Sequence, residues 1–368
     1  MKLENGEISN TQLMLLVLSF LQSMILTINF VYSITNYDTW IAVLVGYVIA
    51  IIFTLLYLAI GLKFPGKNLV EINDIVFGPY FGKLISASYI WFFFQYMIHY
   101  MYFFNSFWIT YIMTETPRVA FLIMFVFVCS MAVRNGIEVI ARCSFIFITI
   151  VTITILTVTI LLIPDMKPSN LLPILEVEPL KFIQSVHIIL VIPFCDIVAF
   201  LFILPYTSNK RQVRKPVLIG LSLSAIQLLI VVLRDATVLG SRMLIAASAS
   251  FAVSRQIDIG NILTRLDILV AITMLITVFM KVTIFYYVTV LGMAQTLKLH
   301  SYKPLVVPIG AISIVIASNL YPSDMEQMYS GQFVWPFNAS ISEFIIPLIT
   351  IIVIAIRRLP KGEGEKSK

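Results

Sequence analysis

Apolar runs of about 20 residues recur from one end of the chain to the other, with short polar stretches between them. A run of that length crosses the ~30 Å hydrocarbon core as an α-helix, whereas barrel strands would show short segments of alternating polarity. The pattern predicts ten helical spans, at 10–32, 38–61, 84–110, 118–135, 140–163, 182–204, 215–233, 264–293, 303–320 and 337–357. Turn-forming residues fall between them, among them Phe64-Pro65-Gly66, Gly78-Pro79, Pro164, Pro168, Pro173, Pro322 and Pro336. Most connections are too short for a soluble domain, and only 164–181 and 234–263 have room for a short helix at the interface. Residues 1–368 therefore read as one membrane domain.

Basic residues near the span ends orient this bundle. Seventeen Lys and Arg fall on the side that holds both termini, and seven on the other, among them Arg255 and Arg265 near a span end and Arg234 and Arg242 in the connection 234–263. The excess predicts cytoplasmic N- and C-termini. The opening MKLENGEISN has a weak basic region and no small-residue cleavage site follows the first run, which reads as a span and not as a removed signal.

Composition narrows the function. The chain is 60% hydrophobic and 12% charged, with a mean hydropathy of +0.97, whereas soluble domains are about one-quarter charged. The net charge of +6 does not imply nucleic acid, because the basic residues are scattered over short loops. Cys129, Cys143 and Cys195 lie in or beside spans without metal or redox spacing, and read as small buried thiols. The three histidines sit in separate segments, and no phosphate-binding loop or nucleophile–base set occurs. Neither an enzyme nor a bound cofactor or metal is expected.

Ionisable groups within spans cost ~2.5–3.5 kcal/mol each and so face the protein interior. Four stand out: His99 in the third span, His187 and Asp196 in the sixth, and Lys281 in the eighth. Glu343, near the start of the tenth predicted span, reads as reaching the outer headgroups. In the sixth span Pro193 removes a helical hydrogen bond three residues before Asp196. Two readings stand together: a mid-membrane site built on a broken helix, or a kink with Asp196 capping the resumed helix. Thr273, Thr277 and Lys281 share one helix face, and Lys281 has three readings: an ion pair with Asp196, a functional ammonium that fills a cation's place, or snorkelling to an interface. The aromatic third span, with Gln95, Tyr96, His99, Tyr102 and Ser106, suits either packing or a pocket for a small molecule.

Ten spans with short loops and a broken sixth helix resemble the amino acid/polyamine/organocation carriers. That resemblance implies two inverted five-helix halves, 10–163 and 182–357, joined by the loop 164–181, with substrate held where the first and sixth helices unwind. Within that superfamily the chain resembles the B subunit of bacterial spore germinant receptors. The features are GEISNTQLMLLVLSF with Ile8, Ser9 and Gln12; GKNLVEI at 66–72; PSNLLPILEVEPLKFI leading to Pro193, Phe194 and Asp196; and SRQIDIGNILTRLDIL at 254–269. The resemblance implies an endospore inner-membrane protein that binds a small nutrient, often an amino acid, and signals through an A subunit and a C lipoprotein. It implies a ligand site at Gln22, Ser23, Tyr96, His99, Phe194, Asp196, Phe200, Thr277 and Lys281. One departure stands out: the first helix offers Leu-Gln-Ser-Met where carriers have a glycine-rich break. Three functions follow: a ligand-sensing receptor subunit, a proton-coupled amino acid permease, or an assembly partner with a degenerate pocket.

Overall fold

The structure is a computed structural model and describes residues 3–4, 6–244, 246, 248–257 and 267–360. The elements are α1 (Asn10–Leu21), α2 (Met24–Thr27), α3 (Asn29–Thr35), α4 (Thr39–Lys63), α5 (Leu69–Phe77), α6 (Phe81–Tyr111), α7 (Arg118–Asn135) and α8 (Ile137–Leu161). They continue as α9 (Pro179–Ile189), α10 (Arg214–Leu239), α11 (Ala249–Ser254), α12 (Asp267–Thr296), α13 (Lys303–Ser318), α14 (Asp324–Tyr329), α15 (Trp335–Ser340) and α16 (Ile346–Ile356). Among the described residues there are no strands, only one bridge between Ile8 and Thr207.

Among the described residues seven helical stretches are long and apolar enough to cross a membrane, and two more apolar helices, Asn10–Leu21 and Lys303–Ser318, are shorter. Helix α6 has 31 residues, about 46 Å of rise at 1.5 Å each. Local chemistry sets the boundaries. Ser9 and Gln12 close a reciprocal capping box at the start of α1, and Asn68 and Glu71 do the same for α5. Gly136, at φ +86°, is the single residue between α7 and α8. A side chain disfavours that backbone conformation, so glycine lets two long helices turn back with no loop.

Burial sorts the helices into layers. The stretch Pro179–Phe202 is almost wholly buried, and α12 runs alongside α6 as the principal helix pair of the core. Outer helices bury one side and expose apolar residues on the other: Ile52 of α4 is 62% exposed, Phe127 of α7 64% and Ile160 of α8 62%. Apolar outward faces around a buried polar interior are what a bilayer solvent requires.

Two expectations are corrected here. Glu343 does not reach headgroups: the last helical stretch begins at Asp324, so Glu343 lies deep within it and is 0% exposed. Arg234 is no loop residue either. It lies in the final turns of α10 and is 3% exposed, with Nε 2.9 Å and Nη2 2.7 Å from Asp235 Oδ1. Asp235 Oδ2 accepts from Ser250 at 2.6 Å and Tyr32 at 3.3 Å, so a satisfied buried pair ties α3 and α11 to α10. Of the two roomier connections, 164–181 holds 3₁₀ turns at Ile163–Asp165 and Pro168–Leu171 before α9 begins, and 234–263 holds α11. The 258–266 part of the SRQIDIGNILTRLDIL block, including Arg265, lies outside the described residues.

The segment before α1 is stitched to the end of the sixth crossing. Ile8 N–H donates to Tyr206 O at 2.9 Å, and Ser208 N–H to Ile8 O at 2.9 Å. Glu4 Oε2 accepts from Tyr302 at 3.1 Å, Tyr287 at 3.2 Å and the Ile137 amide at 3.4 Å.

Candidate functional site

Two helices lose their regularity at the same depth. The first is interrupted at Gln22 and Ser23, whose φ values of −63° and −61° stay right-handed. The helix therefore loosens without reversing its backbone, and no glycine is needed. The sixth crossing changes pitch: Leu190–Phe194 form a π turn, and Cys195–Phe202 a 3₁₀ run. Pro193 has no N–H to donate, and the Cys195 N–H reaches back to Leu190 O. That shift leaves the Val191 carbonyl to accept the Tyr96 hydroxyl at 3.4 Å.

Asp196, second in the 3₁₀ run, lies 2.5 Å from Lys281 Nζ, and both side chains are 0% exposed. The two groups form a fully buried ion pair. Lys281 Nζ also stands 3.8 Å from the Phe20 ring centre, a cation–π contact that offsets part of its burial. The Glu343 carboxyl belongs to the same buried cluster, next to Asp196 and within electrostatic reach of Lys281. Its Oε1 accepts from Tyr96 at 3.3 Å, its backbone carbonyl accepts from Tyr57 at 2.7 Å, and its Oε2 has no partner. Two carboxyls facing one ammonium leave one carboxyl without a counter-charge. In a dry interior that imbalance is costly, and a proton or a cationic ligand group would remove it.

Beside this cluster is an aromatic cavity of about 40 Å³, lined by Thr27, Phe30, Tyr96, His99, Tyr100 and Trp335 among others. Tyr96 separates cavity from cluster and belongs to both. His99 Nδ1 is 2.7 Å from Gln95 O, and its ring lies on Trp335 with centres 4.3 Å apart. Tyr321, in the loop before α14, closes the far wall and donates to Ser330 at 2.8 Å; burial pushes its hydroxyl above the ordinary tyrosine range. Phe30, Phe103 and Gln327 also line a second cavity of about 250 Å³, which includes Ser106 and Asp324. The Phe30 and Phe103 rings, 5.3 Å apart, stand where the two cavities meet.

The residues singled out in the sequence fall in four places. Tyr96 and His99 line the cavity, while Asp196 and Lys281 form the cluster. Gln22 and Ser23 are buried at the first interruption, with Gln22 Nε2 unpartnered and Ser23 Oγ donating to Phe20 O at 3.4 Å. The others lie in packing. Phe194 faces Tyr47 of α4 at 6.2 Å, Phe200 packs edge-on against Phe20 at 5.3 Å, and Thr277 donates to Met274 O at 3.2 Å within its own helix. His187 meets Ser340 Oγ at 2.7 Å, away from the cavity lining. Glu343 and Trp335 were not among the residues singled out for the site. An acid inside an apolar run was the available signal for Glu343. Pro336 masked it by reading as a boundary, although it opens α15 within a continuous helical stretch.

Helices wrapped around two interrupted crossings, with a pocket at the interruptions, define a multi-pass membrane protein of the transporter-fold class. A solved nucleobase-cation-symport-1 family transporter, MHP1 in a closed conformation with bromovinylhydantoin bound, superposes with a TM-score of 0.69 at 11% identity, over 99% of this chain and 83% of that one. The two proteins share a fold. The chain belongs to the spore germination protein family, whose profile matches residues 7–325. It is 26% identical over 379 residues to spore germination protein KB of Bacillus subtilis (strain 168), covering 100% of each chain. Family and fold together make it a germinant receptor or permease-like membrane protein.

Proposed function

We propose that this chain is the membrane subunit of a nutrient germinant receptor, which binds an amino acid and signals that binding to start spore germination. The observation that carries this reading is an aromatic cavity set against a buried cluster with one more carboxyl than ammonium. In this reading an amino acid's ammonium balances the second carboxyl, Gln22 Nε2 donates to its carboxylate, and its side chain rests on Trp335 and Phe30. The 40 Å³ void holds only a few water molecules, so binding parts Phe30 from Phe103 and joins the cavity to its larger neighbour. A ligand that prefers that opened arrangement shifts the population toward it.

The rest of the reading follows the family. Ten crossings result when α6 and the two shorter apolar helices are added to the seven long stretches, as two inverted halves over 10–163 and 182–357. Both termini are cytoplasmic, the membrane is the inner membrane of the endospore, and the partners are a receptor A subunit and a C lipoprotein. The ligand site comprises Gln22, Ser23, Tyr96, His99, Asp196, Lys281 and, added from the geometry, Glu343 and Trp335.

The transporter fold with its titratable cluster favours one alternative, a proton-coupled amino acid permease. Purified chain in liposomes, tested for equilibrium binding and counterflow of labelled amino acids, separates the two. Saturable binding without exchange is expected. Substrate-specific exchange makes the chain a permease, and absence of binding by folded protein across the amino acids overturns both.

A further inference from the structure

A large cavity lies apart from the central site, at the starts of α1 and α10. It measures about 690 Å³ and is open, with Asn10, Thr11, Gln212, Arg214 and Lys215 around its mouth. Further along the two helices its wall is formed by Met14, Leu218 and Ile219, with Ser222, whose hydroxyl is already bonded to Leu218 O and Tyr47, at its end. The lining grades from polar and cationic at the helix tips to apolar within two turns, and a helix advances ~5.4 Å per turn. That is the distance over which a bilayer passes from headgroup to acyl chain.

The mouth carries positive charge that the protein leaves unbalanced. Arg214 and Lys215 occupy the first turn of α10, where the helix dipole already presents its positive end and disfavours cations. Val213 at the N-cap supplies no capping side chain, and Pro216 contributes no N–H. Neither cation is in an ion pair among the described residues, and no acidic residue lines the cavity. Just below, Gly220 brings α10 so close to α1 that a Cβ there would stand 2.7 Å from Met14 O. The helices are packed closely at that level, and the cleft opens beside this contact.

We propose that this cleft is a binding site for an anionic phospholipid, with the phosphate held by Arg214, Lys215 and the uncapped start of α10, and one acyl chain laid along Met14, Leu218 and Ile219. Basic pockets between membrane helices bind lipid phosphates in this way. The apolar wall is what distinguishes a lipid from a free phosphate. The site sits against α1, the helix whose far end is interrupted at Gln22, and is independent of what the central cavity binds.

The test uses delipidated full chain in detergent, titrated with dioleoyl phosphatidylglycerol or dioleoyl phosphatidylcholine, with bound lipid counted by native mass spectrometry. Phosphatidylglycerol is expected to bind about thirtyfold more tightly than phosphatidylcholine, the difference two basic contacts make. R214Q/K215Q should abolish that preference, and R214K/K215R should keep it. I219W leaves both charges in place but fills the apolar wall, and should weaken phosphatidylglycerol binding by itself, which keeps the test decisive if R214Q/K215Q misfolds. Equal binding of the two lipids, or an unchanged preference in R214Q/K215Q or I219W, overturns the proposal. Displacement of phosphatidylglycerol by inorganic phosphate also overturns it, by making the cleft a simple anion site.

Discussion

Replacing each member of the buried cluster in turn separates charge balance from packing. At 2.5 Å the attraction between Lys281 and Asp196 is roughly 7 kcal/mol at an effective dielectric of about 20. Desolvation of two fully buried ions consumes most of it, yet removing one partner alone from such a pair costs ~3–5 kcal/mol. Fully ionised, the three groups sum to −1. K281M leaves two carboxyls and no cation, and should be the most damaging change, at or above ~4 kcal/mol. D196N removes the direct partner but leaves Glu343 to face the ammonium, and should fall nearer ~3 kcal/mol. E343Q keeps the pair, removes the excess charge and preserves shape, so its stability should stay within ~1 kcal/mol of the unaltered chain or exceed it. Reversible unfolding in mixed micelles, followed by tryptophan fluorescence, gives the three values. The reasoning fails if E343Q is as destabilising as K281M, or if K281M is the mildest of the three.

E343Q, though stable, should lose ligand binding by about 10- to 100-fold, the worth of one charge-assisted hydrogen bond; unchanged affinity in the same binding titration removes Glu343 from the ligand site. W335A should cost ~3–5 kcal/mol as a large truncation in a packed wall, and shift binding toward bulkier amino acids, read by competition with unlabelled ones. G220V should cost ~1–3 kcal/mol by forcing α1 and α10 apart, and an undisturbed melting curve would contradict the close approach. S250A should cost ~1–3 kcal/mol by leaving the buried Asp235 short of a donor, with E343Q as the comparison in which a buried acid is neutralised instead.

Much of the helical pattern was legible because a membrane span is long and each residue votes the same way. Predicted 118–135 coincides with α7, and 38–61 lies two residues or fewer from α4 at each end. The last stretch was harder, since Pro336 looks the same before a helix as inside one. Near the site, the pairing of Asp196 with Lys281 was among the readings open in the sequence, because two opposite charges inside spans have few other companions. Phe194 and Phe200 could not be oriented from sequence. A side chain's direction depends on residues per turn, and that number changes twice between Leu190 and Phe202. Loosening of the first helix at Gln22 left no glycine to read, because its backbone never enters a region that glycine alone favours. Arg234 was misassigned for a related reason: basic residues at span ends usually mark loops, but Asp235 beside it provides a buried partner.

The stitched segment ahead of the first crossing makes the surface it lies on a reporter of events within the bundle. Ile8 moves with the end of the sixth crossing through two backbone bonds, while Glu4, four residues away, is held by tyrosines of α12 and the turn into α13. Tilting the first and sixth crossings against α12 therefore has a mechanical corollary. Either the link between Glu4 and Ile8 drags α12 along, or the carboxylate slips from its tyrosine grip and presents a new negative charge at that face of the bundle.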